Sequence, residues 1–402
     1  MNFFDFLTRP LMKNSPISRG ISVLLVLAVL AATLVTGTLS NGAVATAPDD
    51  VIVDVTADPE YYVYIPELEE PRFEEPGDAH LLTPDTGIMT TCPLTGMPLD
   101  EARAQNRPLA VVIANCVESV PMNGVYHADV IYEILVEGGM TRMLAVFQDF
   151  SEVQKVGSIR SARHYTVELA HSHNAFLIHA GGSQPYAYNL IAALGVTNFD
   201  EVGGVRREIF FRDRQRIPGR RLDSLHSVVT TNERVARFFP QFDLDLEHDP
   251  DFEQGWVFSD DATPANGSPA TRAVVQFTTG GKSTTFTFDE NENAYFVNQF
   301  RRDFVDANNA LRPSFANVIV LRTSVTAMPG DGAGRQDMVT IGEGEGYFLH
   351  GGRYVPITWS REDRDSPFVF TNMDGSLLEL GRGSTYICII PNNVSIDIGS
   401  AR

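Results

Sequence analysis

The run VGSIRSARHYTVELAHSHNAFLIHAGGS, residues 156–183, decides how the surrounding chain folds. It predicts a strand, a helix over ARHYTVELAHSHN and a second strand over AFLIHAG. Arg160 and Arg163 lie where the first strand gives way to the helix, and free backbone N–H groups and the helix dipole favour an anion there. The second strand ends at His179, so a second polar edge is expected beside the first. This run indicates where recognition or chemistry occurs and leaves the reaction open.

Composition bounds the class of protein. The chain has 402 residues, of which 43% are hydrophobic and 20% charged, and this suits two folded domains with appendages. A formal net charge of -20 argues against a nucleic-acid partner, which would require a basic face. Cys92, Cys116 and Cys388 lack the spacing of a metal site, so we expect neither a structural zinc nor another metal or cofactor. Cys92 and Cys116 could pair after export, although buried, unpaired thiols are favoured for all three.

The N-terminus predicts a membrane segment. Residues 1–19 are basic, residues 20–40 form an apolar run long enough to span a bilayer, and acidic residues follow. The positive-inside rule therefore leaves residues 1–19 in the cytoplasm and the folded domains outside, as in a single-pass membrane protein. A signal peptide cut near Ala45-Thr46-Ala47 is the alternative, but Pro48 and the length of the run favour a retained anchor.

The remaining chain divides into four parts. Residues 41–91 are acidic and proline-rich, which is typical of an extended linker. Residues 92–242 alternate strands with helices and predict an α/β domain, with a β-hairpin around Glu137-Gly138-Gly139. Residues 243–271 form a connector, and residues 272–402 contain short strands and tight turns that predict a mostly antiparallel β domain. The expected fold class is therefore α+β overall, behind an N-terminal transmembrane helix.

The arginine pair is the strongest candidate for ligand binding. The guanidinium groups of Arg160 and Arg163, with Ser161 between them, could hold a phosphate or carboxylate. The alternative is that the arginines pair with acidic side chains of the same domain, for which the candidates are Glu133, Glu137 and Glu168. Pairing with Arg142 is the plainer role for Glu133 and Glu137.

Three further candidates lie near this pair. His179 could act in acid–base chemistry, and Ser183 could act as a donor or a nucleophile, although Gly181-Gly182-Ser183 is often only a turn. Ligands of α/β sheets commonly lie at such strand ends, which places Gly181 and Gly182 among the expected binding residues. His226, a candidate acid or base, and Arg212, a binding residue, could complete the site from a later loop.

Several runs together resemble one family. CPLTG (92–96), RPLAVVIAN (107–115), VGSIRSAR (156–163), HAGGSQPYAY (179–188) and GEGEGYFLHGG (342–352) are similar to the YerB-like family of bacterial lipoproteins, a two-domain group of uncharacterised function. The family anchor is usually a lipidated cysteine, whereas this chain has an apolar run. Where the family has a Pro-His-Asn-Leu-Tyr-like run, SLHSVVTT keeps His226 but has Ser227 and Val229 in place of the asparagine and tyrosine. The resemblance implies an extracytoplasmic, envelope-associated protein and no particular reaction.

We therefore expect a membrane-anchored envelope protein that binds an anionic envelope ligand or an envelope protein through its α/β domain. One alternative is a hydrolase or transferase that acts on an anionic envelope substrate, with His179 or His226 moving the proton. A second alternative is a non-catalytic scaffold. Convergence of Arg160, Arg163, His179 and His226 in one open pocket would favour ligand binding or catalysis.

Overall fold

Short strands make up most of the described chain, and helices are few. The computed structural model describes residues 83–400. The predicted cytoplasmic segment 1–19, the membrane segment 20–40 and the linker as far as residue 82 lie outside the described residues. Within residues 83–400, no helix is long and apolar enough to cross a membrane.

The first domain contains ten strands. They are β1 (Met89–Thr91), β2 (Pro98–Asp100), β3 (Leu109–Asn115), β4 (Val130–Leu135), β5 (Thr141–Phe147), β6 (Val156–Gly157), β7 (Phe176–His179), β8 (Asn198–Asp200), β9 (Phe211–Arg212) and β10 (Val228–Thr230). β4 and β5 form the predicted hairpin. The first predicted strand of the 156–183 run is reduced to the two residues of β6, and after it Ile159 forms a single antiparallel bridge with Ile113 of β3.

The four α-helices of the described chain are α1 (Glu101–Gln105), α2 (His164–Ser172), α3 (Tyr186–Leu194) and α4 (Asn232–Phe238). α2 lies in the predicted place, and its first turn is capped where the Arg163 N–H donates to Thr166 Oγ1 at 2.9 Å. α3 ends at Gly195, whose φ of 63° closes the helix in the left-handed conformation that glycine tolerates. Single turns of 3-10 helix lie at Val125–His127, Glu137–Gly139, Arg207–Ile209, Ser224–His226 and Phe239–Gln241.

The rest of the chain is almost entirely strand. It contains β11 (Val257–Ser259), β12 (Ser268–Pro269), β13 (Arg272–Gln276), β14 (Ser283–Asp289), β15 (Ala294–Gln299), β16 (Arg302–Asp303), β17 (Ser314–Phe315), β18 (Asn317–Thr323), β19 (Val325–Ala327), β20 (Gln336–Met338), β21 (Gly342–His350), β22 (Arg353–Arg361), β23 (Val369–Asn372), β24 (Glu379–Gly381), β25 (Thr385–Pro391) and β26 (Ile396–Gly399). β13, β14 and β15 pair antiparallel, as predicted, in a separate six-stranded sheet.

One sheet runs through both domains. Its order is β12-β22-β21-β18-β25-β4-β5-β3-β7-β8, with β23 paired to β22. β25 lies parallel to both β18 and β4, so the second domain departs here from the antiparallel pattern predicted for it. β3, β7 and β8 are parallel to one another, and their carboxyl ends therefore meet at one edge of the sheet.

A buried carboxylate joins the two domains beneath this sheet. Glu133 on β4 is fully buried, and its Oε1 lies 2.7 Å from the ammonium group of Lys282. Side chains of both domains donate hydrogen bonds of 2.7–3.3 Å to its two oxygens, namely Asn115, Thr141, Thr284, Gln299 and Tyr386. The expected pairing of Glu133 with Arg142 is therefore wrong, because the second domain supplies a lysine that no local sequence pattern reveals.

Candidate functional site

The candidate site lies at the shared edge where β3, β7 and β8 end. We call this region the strand-end surface; it comprises Cys116 after β3, segment 158–163, segment 179–183 after β7, Glu201 after β8 and segment 212–226. Segment 158–163 inserts between the strand ends: the Arg160 N–H donates to the carbonyl of Val112 at 2.9 Å, and the Arg160 carbonyl accepts from Ala180 at 3.1 Å. The backbone that presents Arg160 is therefore held from both sides.

Arg160 is the predicted arginine that keeps its charge available. The residue is half-buried, and its guanidinium group donates a long hydrogen bond of 3.4 Å to the carbonyl of Leu225. Across residues 83–400, no carboxylate lies within ion-pair distance of it. The described structure thus leaves this cation without an internal counter-ion.

Arg163 forms an ion pair within the domain, which was the alternative to ligand binding. Its guanidinium group forms a two-pronged ion pair with Glu137, and its side chain is 5% exposed. Arg142 also contacts Glu137, at 3.4 Å, as expected for that glutamate. Burial alone would raise the pKa of Glu137, but the hydrogen bond from Arg163 and the charges of both arginines lower it to about 2.

Glycines bring the two polar edges together. Ala162 N–H donates to the carbonyl of Gly181 at 2.9 Å, and Gly181 N–H donates to the buried carboxylate of Asp200 at 2.7 Å. Gly181 has a φ of 77°, and a Cβ placed there would lie 3.3 Å from the hydroxyl of Ser161. Ser161 and Gly182 are also buried, so these residues form the floor of the strand-end surface.

Arg212 reaches the same surface but is neutralised there. Its guanidinium group donates to both carboxylate oxygens of Glu201, each at 3.0 Å. It also donates to the carbonyl of Ser224, in the 3-10 turn that carries His226. Arg212 therefore positions the later loop rather than presenting a free charge.

His179 and Ser183 lie inside the protein. His179 is fully buried, with Nδ1 at 2.8 Å from the carbonyl of Gly181 and Nε2 at 3.3 Å from the side-chain oxygen of Asn198. Ser183 is 1% exposed, and its hydroxyl has no hydrogen-bond partner within the described part of the chain. Since both ring nitrogens of His179 have other partners, the two residues do not form a nucleophile–base pair in this arrangement.

His226 faces the strand ends and brings two unforeseen residues with it. Its Nε2 lies 3.5 Å from Cys116 Sγ, and its Nδ1 lies 2.9 Å from Asp223 Oδ1. Cys116 is partly exposed, so the expectation of a buried thiol is wrong for this cysteine, whereas Cys92 and Cys388 are buried; all three are unpaired. The position of Cys116 directly after a buried strand was the available sequence signal, because such strand ends commonly carry functional residues.

Positive charge is concentrated beside this surface. Seven arginines lie between residues 206 and 221, against two acidic side chains there, in a chain with a net charge of -20. Arg216 and Arg220 point back to the loop after β3, where they donate to the carbonyls of Ser119 and Glu118. The strand-end surface thus brings together Arg160 and His226 from the predicted set, while the charges of Arg163 and Arg212 are paired and His179 and Ser183 are enclosed.

Comparison with known proteins identifies similar chains. The N-terminal domain model of the family described as "Protein of unknown function (DUF3048)" matches residues 94–243, and its C-terminal domain model matches residues 273–387. YerB of Bacillus subtilis (strain 168), named as a proposed lipoprotein, is 26% identical over 314 residues, which span 77% of this chain and 88% of YerB. The crystal structure of the Bacillus subtilis YerB protein superposes with a TM-score of 0.64 at 23% identity, covering 77% of this chain and 99% of that chain.

Proposed function

The chain belongs to the YerB-like family of two-domain bacterial proteins, and on that premise we propose that it is an extracytoplasmic envelope protein that binds an anionic ligand at the strand-end surface. The lipoprotein name of its relative supports a place at the membrane. In this chain the apolar segment 20–40 is the proposed single-pass anchor, with the folded domains on the extracytoplasmic side.

Arg160 is the observation that carries the binding proposal. Arg160 is a half-buried residue whose guanidinium group donates only one long hydrogen bond, to a backbone carbonyl, and its remaining N–H groups can hold a carboxylate or phosphate bidentately. Its rigid backbone also lowers the entropy lost when a ligand is held. The acidic remainder of the protein repels free anions, so binding at this surface depends on local positive charge.

The ligand chemistry is that of a phosphate or a carboxylate. Both groups accept the paired N–H donors of an arginine. Residues 206–221 carry seven arginines against two acidic side chains, and this excess of positive charge favours an anionic ligand. Envelope polymers and their precursors offer both groups, so the two chemistries are tested separately.

The test compares Arg160→Ala with a matched loss of charge elsewhere. Arg272→Ala removes an exposed arginine on β13, far along the chain from the strand-end surface. The full chain in detergent is titrated with inorganic phosphate and, separately, with succinate, while the melting temperature is recorded. A ligand at about 100 times its Kd stabilises the folded state by about 2.7 kcal/mol. We expect the wild type and Arg272→Ala to respond to at least one anion and Arg160→Ala to lose that response. An equal response in Arg160→Ala, or none in the wild type, rejects the proposal.

A further inference from the structure

Cys116, His226 and Asp223 form a chain of side-chain contacts at the strand-end surface. The Cys116 thiol is 3.5 Å from His226 Nε2, and the opposite ring nitrogen of His226 is 2.9 Å from the Asp223 carboxylate. The order thiol, imidazole, carboxylate is that of an activated nucleophile, its base and the group that orients the base. The side chain of His226 is 13% exposed, and Cys116 is partly exposed.

A buried arginine fixes the relative position of the thiol and the imidazole. Arg216 donates to the carbonyl of His226 at 2.9 Å, and also to the carbonyls of Ser119 at 2.6 Å and Pro121 at 2.8 Å. Ser119 in turn donates from its hydroxyl to the carbonyl of Cys116 at 2.9 Å. One guanidinium group thus ties the loop after β3 to the loop that carries His226. Such support is what holds a reactive pair in register.

Burial keeps the imidazole of His226 neutral and able to accept a proton. Burial lowers the pKa of His226 and Arg160 lowers it further, whereas Asp223 and Glu118 act in the opposite direction; the net shift is downward. The imidazole is therefore neutral at pH 7. The pKa of Glu118 is also lowered, first by its own backbone N–H and then by the Cys116 thiol, so this carboxylate is a second acceptor near the sulfur.

We infer that Cys116 is the nucleophile of an acyl-transfer centre, with His226 as its general base and Asp223 as the residue that orients the imidazole. The substrate class is an activated acyl donor, such as an ester or thioester. We further infer that the donor carries an anionic group held by Arg160, and this part rests on the function proposed above. The thiol chemistry does not depend on that function.

The reaction balances without an oxidant or a reductant. His226 takes the thiol proton, the sulfur attacks the acyl carbonyl carbon, and a carbon–sulfur bond forms as the bond to the leaving group breaks. The leaving group departs with the proton from His226. Water or another hydroxyl then gives a proton to His226 and attacks the thioester. The carbon–sulfur bond breaks, and the thiolate recovers its proton from the imidazolium.

The experiment measures acetylation of the full-length protein by 4-nitrophenyl acetate. Peptide mass spectrometry locates the acetyl group, and the release of nitrophenolate gives the rate. Buried Cys92 and Cys388 are internal controls for exposure. The variants are Cys116→Ser, His226→Asn and Asp223→Asn, and His171→Asn, a surface histidine paired with Asp365, is the matched control. Circular dichroism confirms that each variant is folded.

We expect acetyl on Cys116 in the wild type and His171→Asn, and none on residue 116 in Cys116→Ser. General-base catalysis is typically worth about 10²–10⁴ in rate, so the rate should fall by about 100-fold or more in His226→Asn. It should also fall in acid as His226 is protonated, with a midpoint below the usual pKa of a free histidine. Acetylation of Cys116 at the wild-type rate in His226→Asn, or no acetylation of Cys116 in the wild type, overturns the inference.

A second donor separates the two proposals. 4-Acetoxybenzoate delivers the same acetyl group from an anionic leaving group, and 4-nitrophenyl acetate is neutral. Arg160→Ala should slow the reaction of the anionic donor about tenfold relative to the neutral one, a factor that corresponds to about 1.4 kcal/mol. If Arg160→Ala leaves the ratio of the rates with the two donors unchanged, anion binding at Arg160 is rejected. The acyl-transfer centre is then still supported by the dependence of the rate on His226.

Discussion

Replacing Lys282 with methionine tests whether the buried Glu133 cluster holds the two domains together. Methionine keeps the aliphatic stem but removes the ammonium group 2.7 Å from Glu133 Oε1, in a pair whose side chains are 6% and 0% exposed. Lys282 also donates to Thr284 Oγ1 at 2.9 Å, a contact that is lost with it. The carboxylate then remains in the core with neutral donors alone.

The size of the effect follows from this geometry. Removing one partner of a buried ion pair typically costs about 3–5 kcal/mol. Neutral side chains still donate to both oxygens of Glu133, so we expect the lower end, about 3 kcal/mol. At about 2.1 cal/mol/K of unfolding entropy per residue, roughly 320 folded residues unfold with about 0.67 kcal/mol/K, so a loss of about 3 kcal/mol lowers the melting temperature by about 4–5 °C.

The assay is thermal and urea-induced unfolding of the full chain, with Lys155→Met as the matched control. Lys155 pairs with Asp213, but both side chains are partly exposed, at 28% and 19%, so that change should cost about 1 kcal/mol or less. The double variant Glu133→Gln/Lys282→Met should cost less than the sum of the single variants, because it leaves no unpaired buried charge. Equal losses for Lys282→Met and Lys155→Met would refute the reasoning.

Two further predictions follow from the same structure. Because Arg163 helps to lower the pKa of Glu137 to about 2, the ion pair stabilises the fold fully above the usual pKa of a glutamate, about 4.3, and is lost as the pH falls towards 2. Unfolding measured between pH 6 and pH 2 should therefore show a steeper acid dependence in the wild type than in Glu137→Gln; identical slopes would contradict this. Gly96→Ala should destabilise by about 1–3 kcal/mol more than Gly87→Ala. Both glycines have a similar positive φ, but a Cβ at residue 96 would meet the Phe258 ring at 2.4 Å, while residue 87 faces open space; equal melting temperatures for the two variants would show that the ring yields.

Local patterns predicted the elements near the 156–183 run. The hairpin of β4 and β5 follows from its Gly-Gly interruption, and α2 lies within the helix predicted over ARHYTVELAHSHN. The pairing of β25 with β4 was beyond such reasoning, because it joins residues more than 250 positions apart and leaves no periodic signal in either strand. Glu133 illustrates the consequence: its hairpin position suggested a local arginine, and its partner came from the other domain.

The candidate site, like the fold, was predicted only where local sequence patterns define it, because the remaining contacts join residues that are far apart in the sequence. Arg160 and Arg163 carry the same sequence signal, yet Glu137 neutralises only Arg163, since the helix that begins after Arg163 turns its side chain towards the hairpin. Cys116 and His226 lie 110 positions apart in the sequence, and Arg216 supports their contact by donating to carbonyls of both loops. A charge pattern along the chain thus revealed the edge of the sheet where function is expected. The buried guanidinium group of Arg216 donates to carbonyls of both loops that carry the thiol and the imidazole, and this support is a property of the folded chain.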